Sequence, residues 1–205
     1  MTPGTRARIF DARTHACRLV RTPAGPRAGW FGGAPLGAWH VPRSVDGLPS
    51  LVVVAVLEVG AIDEARTGER IWLAIDPREV GVCDARLERA RPGDGSAEAD
   101  PRTGPAVPFH LEPPAPDASW VPGSAELGGL GCKLGGRPGY LQQDLVDGAD
   151  LASRGYELVA QVDCEDRHGL PPSVASLLCD GALYLFAKRE GPGFDFEDLA
   201  LRWQY

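Results

Sequence analysis

Asp163, Cys164, Glu165, Asp166 and His168 gather proton-moving and metal-holding groups into one short stretch. Asp163, Glu165, Asp166 and His168 would serve acid/base or metal-assisted chemistry, because carboxylates and imidazole transfer protons and clustered oxygens suit a hard divalent cation. The spacing is not that of a calcium loop, and His15, His40, His110 and His168 are scattered, so no zinc set forms. Ser173 with His168 and Asp166 supplies the members of a nucleophilic triad, but no G-x-S-x-G elbow surrounds the serine. The glycine-rich run 128–136 invites a phosphate-loop reading. Its spacing fails, because Leu134 follows Lys133 where a P-loop needs Ser or Thr, and a dinucleotide loop needs glycine at 134. No metal and no cofactor is expected.

The elements that would position these groups read as short strands. The run Leu51 to Leu57 is valine-rich and bounded by turn residues, Ile71 to Ile75 repeats the pattern, and Tyr156 to Asp163, Leu183 to Ala187 and Leu199 to Tyr205 complete the set. Residues 82–89 read as a short helix. Pro172 to Leu178 reads as another, with proline in its first turn and Gly181 beyond its end.

Two Gly-Gly-x-Pro turns, Gly32-Gly33-Ala34-Pro35 and Gly135-Gly136-Arg137-Pro138, each precede an apolar strand built around an alanine. This order predicts an internal duplication: a β-rich α+β fold of two related antiparallel β units packed as one compact body. The expected boundaries are a basic N-terminal segment 1–29, a first unit 30–90, a flexible proline-rich connector 91–118 and a second unit 119–205. Paired acids, Glu58 and Asp163, stand three residues after the two strand alanines.

With 205 residues, 43% of them hydrophobic, the chain can bury a substantial core. The net charge of −7 disfavours nucleic acid, although Arg6, Arg8, Arg13, Arg18, Arg21 and Arg27 make the first segment basic. The segment from Met1 to Arg27 lacks the apolar stretch of a signal peptide, and the run 51–57 is too short to span a bilayer, which predicts a cytoplasmic protein with no membrane role. Five widely spaced cysteines without a C-x-x-C pair indicate neither a disulfide framework nor a zinc knuckle and read as buried small hydrophobes.

The second half resembles the bacterial YwqG-like family, a domain of unknown function. The resemblance rests on Lys133-Leu134-Gly135-Gly136-Arg137-Pro138-Gly139-Tyr140-Leu141-Gln142, on Leu158-Val159-Ala160-Gln161-Val162-Asp163 and on Gly181-Ala182-Leu183-Tyr184-Leu185-Phe186. The family is distantly similar to programmed-cell-death-protein-two-like escort proteins, which bind client proteins. Many relatives insert a C-P-x-C-G element that residues 144–150 lack, so the resemblance implies no zinc here. It implies a non-catalytic protein-binding module, a client escort or immunity-type partner, with the groove between the units as its surface. Trp30, Phe31, Tyr140, Gln142, Gln161 and Asp163 are the candidate binding residues. The alternative is an enzyme working through the 163–168 loop.

Overall fold

The computed structural model describes residues 15–23, 25–33, 51–79, 81–90, 100–117, 131–139, 146–166, 169–191 and 193–204. Eleven strands form among them: β1 (His15–Val20), β2 (Arg27–Phe31), β3 (Val52–Glu58), β4 (Glu69–Ile75), β5 (Cys83–Arg89), β6 (Val107–Leu111), β7 (Ala115–Pro116), β8 (Lys133–Gly135), β9 (Tyr156–Asp163), β10 (Ala182–Glu190) and β11 (Gly193–Gln204). The described helices α1 (Val146–Ser153) and α2 (Pro172–Ala175) are short. The strands make one antiparallel sheet in the order β11-β10-β9-β8-β1-β6-β2-β3-β4-β5, with β7 beside β1.

The sheet curls until its two end strands nearly meet. The Cys83 Sγ of β5 lies 3.6 Å from the Leu201 carbonyl oxygen of β11, and Arg66, just before β4, reaches Glu197 at 3.4 Å. Phe31, Leu73 and Phe109 fill the interior with Leu134, Leu185 and Phe196. Smaller apolar clusters lie on the outer face, one around Trp30, Val53, Val56 and Trp72 and the other around Leu151, Tyr156, Leu158, Tyr184 and Phe186. Burial on both faces explains why β3 is an unbroken apolar run rather than an alternating one.

Two stretches of the sheet share register. Phe31, Ala55, Leu73 and Ala85 pair in sequence across β2-β3-β4-β5, as Leu134, Ala160, Leu185 and Leu201 do across β8-β9-β10-β11. An extra residue bulges just before each alanine, Val54 in β3 and Val159 in β9. Both glycine pairs are left-handed, with φ of 69° and 86° at Gly32 and Gly33 and of 71° and 74° at Gly135 and Gly136. Glycine takes that region without the Cβ clash other residues meet.

Three expectations need correction. Residues 100–117 are not an exposed flexible connector: β6 lies inside the sheet between β1 and β2, with Phe109 and Leu111 buried. Proline content misleads here, because Pro108 opposes Trp30 in register where β6 must still hold the sheet together. Residues 83–89 form strand β5, not a helix. Cys83, Ala85 and Leu87 pack on the core while Asp84, Arg86 and Glu88 alternate with them, a period of two that overrides the helical reading. The basic first segment is no separate arm from residue 15 onward, since β1 pairs with both β8 and β6.

Candidate functional site

The acids of the 163–166 turn fold inward as structural acceptors. Asp163 is fully buried, its Oδ2 accepting from the Gly131 N–H at 2.9 Å and its Oδ1 from the Glu165 N–H at 3.0 Å. Asp166 is buried and accepts from the Cys132 N–H at 2.9 Å and the Gly169 N–H at 2.7 Å, with Arg18 at 3.9 Å. Each carboxylate thus satisfies two backbone donors, those of Asp166 buried, and together they clip the chain entering β8. Glu165 is exposed instead, so the described acids of the loop diverge. His168 lies outside the described residues.

Cys164, Glu165 and Asp180 place one ligand atom each within 4.8 Å of one another. Burial, then the charges of Asp163, Glu165 and Asp180, pushes the Cys164 thiol up to about 11, away from the thiolate that a nucleophilic role requires. Cys132 is raised well above its ordinary value, chiefly by burial. Ser173 spends its hydroxyl hydrogen on the Thr103 carbonyl at 2.8 Å.

The candidate binding residues scatter. Phe31 is core, packed on Phe109 with ring centroids 4.6 Å apart. Trp30 lies on the outer face, 6.0 Å from Trp72 edge-on and 4.9 Å beneath the Arg70 guanidinium. Gln161 is buried on the outer face of β9, where its Oε1 accepts from the Gly139 N–H at 2.8 Å. Among the described residues its Nε2 has no partner. Tyr140 and Gln142 lie outside the described residues.

The same register places Trp30, Val56, Trp72 and Arg86 in one outer row and Lys133, Gln161, Tyr184 and Arg202 in the other. A row that is apolar over its first three positions therefore suffices for this geometry, and the polar row is a departure from it. Lys133 is buried and donates to both oxygens of Asp117, at 3.0 and 2.8 Å, and to the Arg137 carbonyl at 2.7 Å. Burial lowers its pKa despite the opposing pull of Asp117. Tyr184 donates to the Gly139 carbonyl at 2.9 Å and lies 3.2 Å from Gln204 Oε1.

A concave site lies elsewhere, at the seam where, among the described residues, β5 and β11 do not pair. A cavity of about 420 Å³ opens there, lined by Asp84 of β5, by Asp198 and Arg202 of β11, by Tyr156 at the start of β9 and by Arg154 just after α1. A bulge makes it: Ala187 pairs with Leu199 but Lys188 with Asp195, so the intervening residues of β11 bow out. Within that bow Phe196 turns into the core, and Asp198 accepts the Tyr156 hydroxyl. That hydrogen bond to a carboxylate raises the Tyr156 pKa. The Arg154 guanidinium stands 5.3 Å over the Tyr156 ring. Tyr156 and Asp198 meet across β10, which pairs with both their strands, and the curl of the sheet adds the β5 wall with Asp84. The alternation from Leu199 to Tyr205 was their one sequence signal.

No protein-family model, curated protein or solved structure matches the chain. Among the described residues no helix is long and apolar enough to cross a membrane.

Proposed function

We propose that the chain is a non-catalytic protein-binding module of YwqG-like type, working in the cytoplasm, whose partner docks along the seam between β5 and β11. In this reading the fold is an internal duplication, β2 to β5 and β8 to β11, with β1 and β6 as exchanged companion strands. The matched registers, bulges and glycine torsions support that origin.

One observation carries the functional reading. The seam is a concave surface where the two end strands of the sheet stand close without pairing, and its cavity, walled by charged and aromatic side chains, is a place where side chains of another protein can seat. The inward hydrogen bonding of Asp163 and Asp166 speaks against catalysis in that loop. Two arginines of the basic segment are engaged with acids, Arg27 with Glu58 at 2.7 Å and Arg18 with Asp166, which leaves less charge for a phosphate backbone.

A photoreactive side chain at Ala200 in the seam tests the reading, with one at Arg27 on β2 as control. In extracts of the native cell the seam position should cross-link a discrete protein and the control should not. Equal labelling from both positions, or none from the seam, rejects the seam as a docking surface.

A further inference from the structure

We propose that the seam cavity receives a carboxamide side chain, Asn or Gln, carried on an extended segment of the partner protein. This rests on the docking reading above and adds the chemistry of what docks.

Charge balance makes the occupant neutral. In the wall Asp84 and Asp198 stand against Arg154 and Arg202, two acids and two arginines. The flanking groups balance as well, since Arg86 gives its Nε to Asp84 at 2.8 Å and Asp150 meets Arg154 at 3.4 Å. An occupant charged in either sense would leave water for a wall with no net charge to compensate it, and its desolvation would go unmatched.

The hydrogen-bonding atoms of the wall then select the amide. Each acid uses one oxygen, Asp84 Oδ2 for the Arg86 Nε and Asp198 Oδ1 for the Tyr156 hydroxyl. Among the described residues Asp84 Oδ1 and Asp198 Oδ2 accept nothing, so the cavity offers an open acceptor from β5 and another from β11. Arg154, held 5.3 Å over the Tyr156 ring, spends Nη1 on Asp150, and its guanidinium has further N–H groups for a carbonyl oxygen. A primary amide carries two N–H donors on one nitrogen with a carbonyl acceptor beside it, the set that two carboxylate oxygens and an arginine require. A hydroxyl brings a single donor, and an apolar side chain would cover these atoms without bonding them. The Cys83 Sγ lies 3.6 Å from the Leu201 carbonyl oxygen, which leaves no width for another backbone between β5 and β11, so the occupant enters as a side chain.

The test titrates the isotope-labelled full chain with peptides that share glycine-serine flanks and differ in one central residue, Gln, Glu, Lys, Ser or Leu, and follows the amide shifts of 83–85 and 198–202. The Gln peptide should move these amides and bind about tenfold more tightly than each of the others. Asp84→Asn takes one acid out of the balance and makes the wall cationic, so the margin of Gln over Glu should vanish; the Asp84 side chain is 38% exposed, and the melting temperature should hold. Arg27→Gln, a control on β2, should leave the margin in place. The carboxamide inference is overturned if the Glu, Lys, Ser or Leu peptide binds as well as the Gln peptide, if the margin over Glu survives Asp84→Asn or is lost in Arg27→Gln, or if the shifts fall away from the seam. It is overturned as well if no peptide binds, and the seam cross-link then separates the two readings: if that cross-link still forms, docking stands without the carboxamide, and if it is also missing, both readings fall.

Discussion

Lys133 and Asp117 form a buried ion pair, Nζ to Oδ2 at 2.8 Å, that closes the second Gly-Gly turn from behind. The same Asp117 oxygen accepts the Arg137 N–H at 2.9 Å and lies where a side chain on Gly136 would stand. Removing the cation alone leaves a buried carboxylate uncompensated. Lys133→Met should therefore cost about 3–5 kcal/mol, and the double variant Lys133→Met with Asp117→Leu should recover much of that loss. Urea midpoints of the three proteins decide it. Equal loss in the single and double variants would mean that the turn, not the charge, is what the pair protects.

The titration of two buried groups should bend the stability curve at opposite ends of the pH range. Burial pushes the Asp100 carboxyl up, but hydrogen bonds and charge from Arg102 outweigh it and hold the folded value below 3.8. Between those values the unfolded chain binds more protons, so this stabilisation is in place above 3.8 and is lost as the pH falls through the folded value. For Lys133 the folded value lies below 10.5, mainly through burial. There too the unfolded chain holds the extra proton in the window, so stability rises as the pH climbs from the folded value towards 10.5. Asp100→Asn should flatten the acid limb and Lys133→Met the alkaline one, each leaving the other limb unchanged in urea melts across pH.

Asp166 bonds two backbone N–H groups and so should matter to stability more than any surface acid. Asp166→Asn keeps the shape but turns an amide donor towards one of the two N–H donors, at a cost of about 1–3 kcal/mol. Glu165→Gln, on an exposed side chain, should shift the midpoint by less than about 0.5 kcal/mol. Comparable effects from the two substitutions would show that the hydrogen bonds of the turn contribute little.

The strands of this fold were legible where one residue pattern had one cause. Tyr156 to Asp163 matches β9 end to end, and the alanine-centred repeat located Ala55 and Ala160 in equivalent register. Local composition misled where long-range pairing decides. Pro108 made β6 look like linker, yet β1 and β2 flank it on either side, and the thin apolar face of 83–89 hid a strand whose second side is solvent. Of the seam, only the wall from Leu199 onward was legible, as an alternating strand. Asp84, Arg154 and Asp198 carry no motif, and their meeting depends on how far the sheet curls and on one bulge in β11.

Arg66 bridges the two ends of that curl. It bonds Glu69 at 2.7 Å and Glu197 at 3.4 Å and stands 5.3 Å over the Phe196 ring, so one side chain joins the start of β4 to the bowed part of β11. With no backbone ladder between β5 and β11 among the described residues, this contact and that of Cys83 with Leu201 are polar ties across the gap. Arg66→Ala should cost only about 1 kcal/mol globally, because its partners are partly exposed and the interior is untouched. Its local effect should be larger. Amide exchange should quicken along 83–89 and 196–202, the strands that face the seam, and stay unchanged in β3 and β9 at the centre of each half. A uniform rise across all four strands would show that Arg66 supports the core as a whole, and no rise at the seam would show that the edges hold together without it.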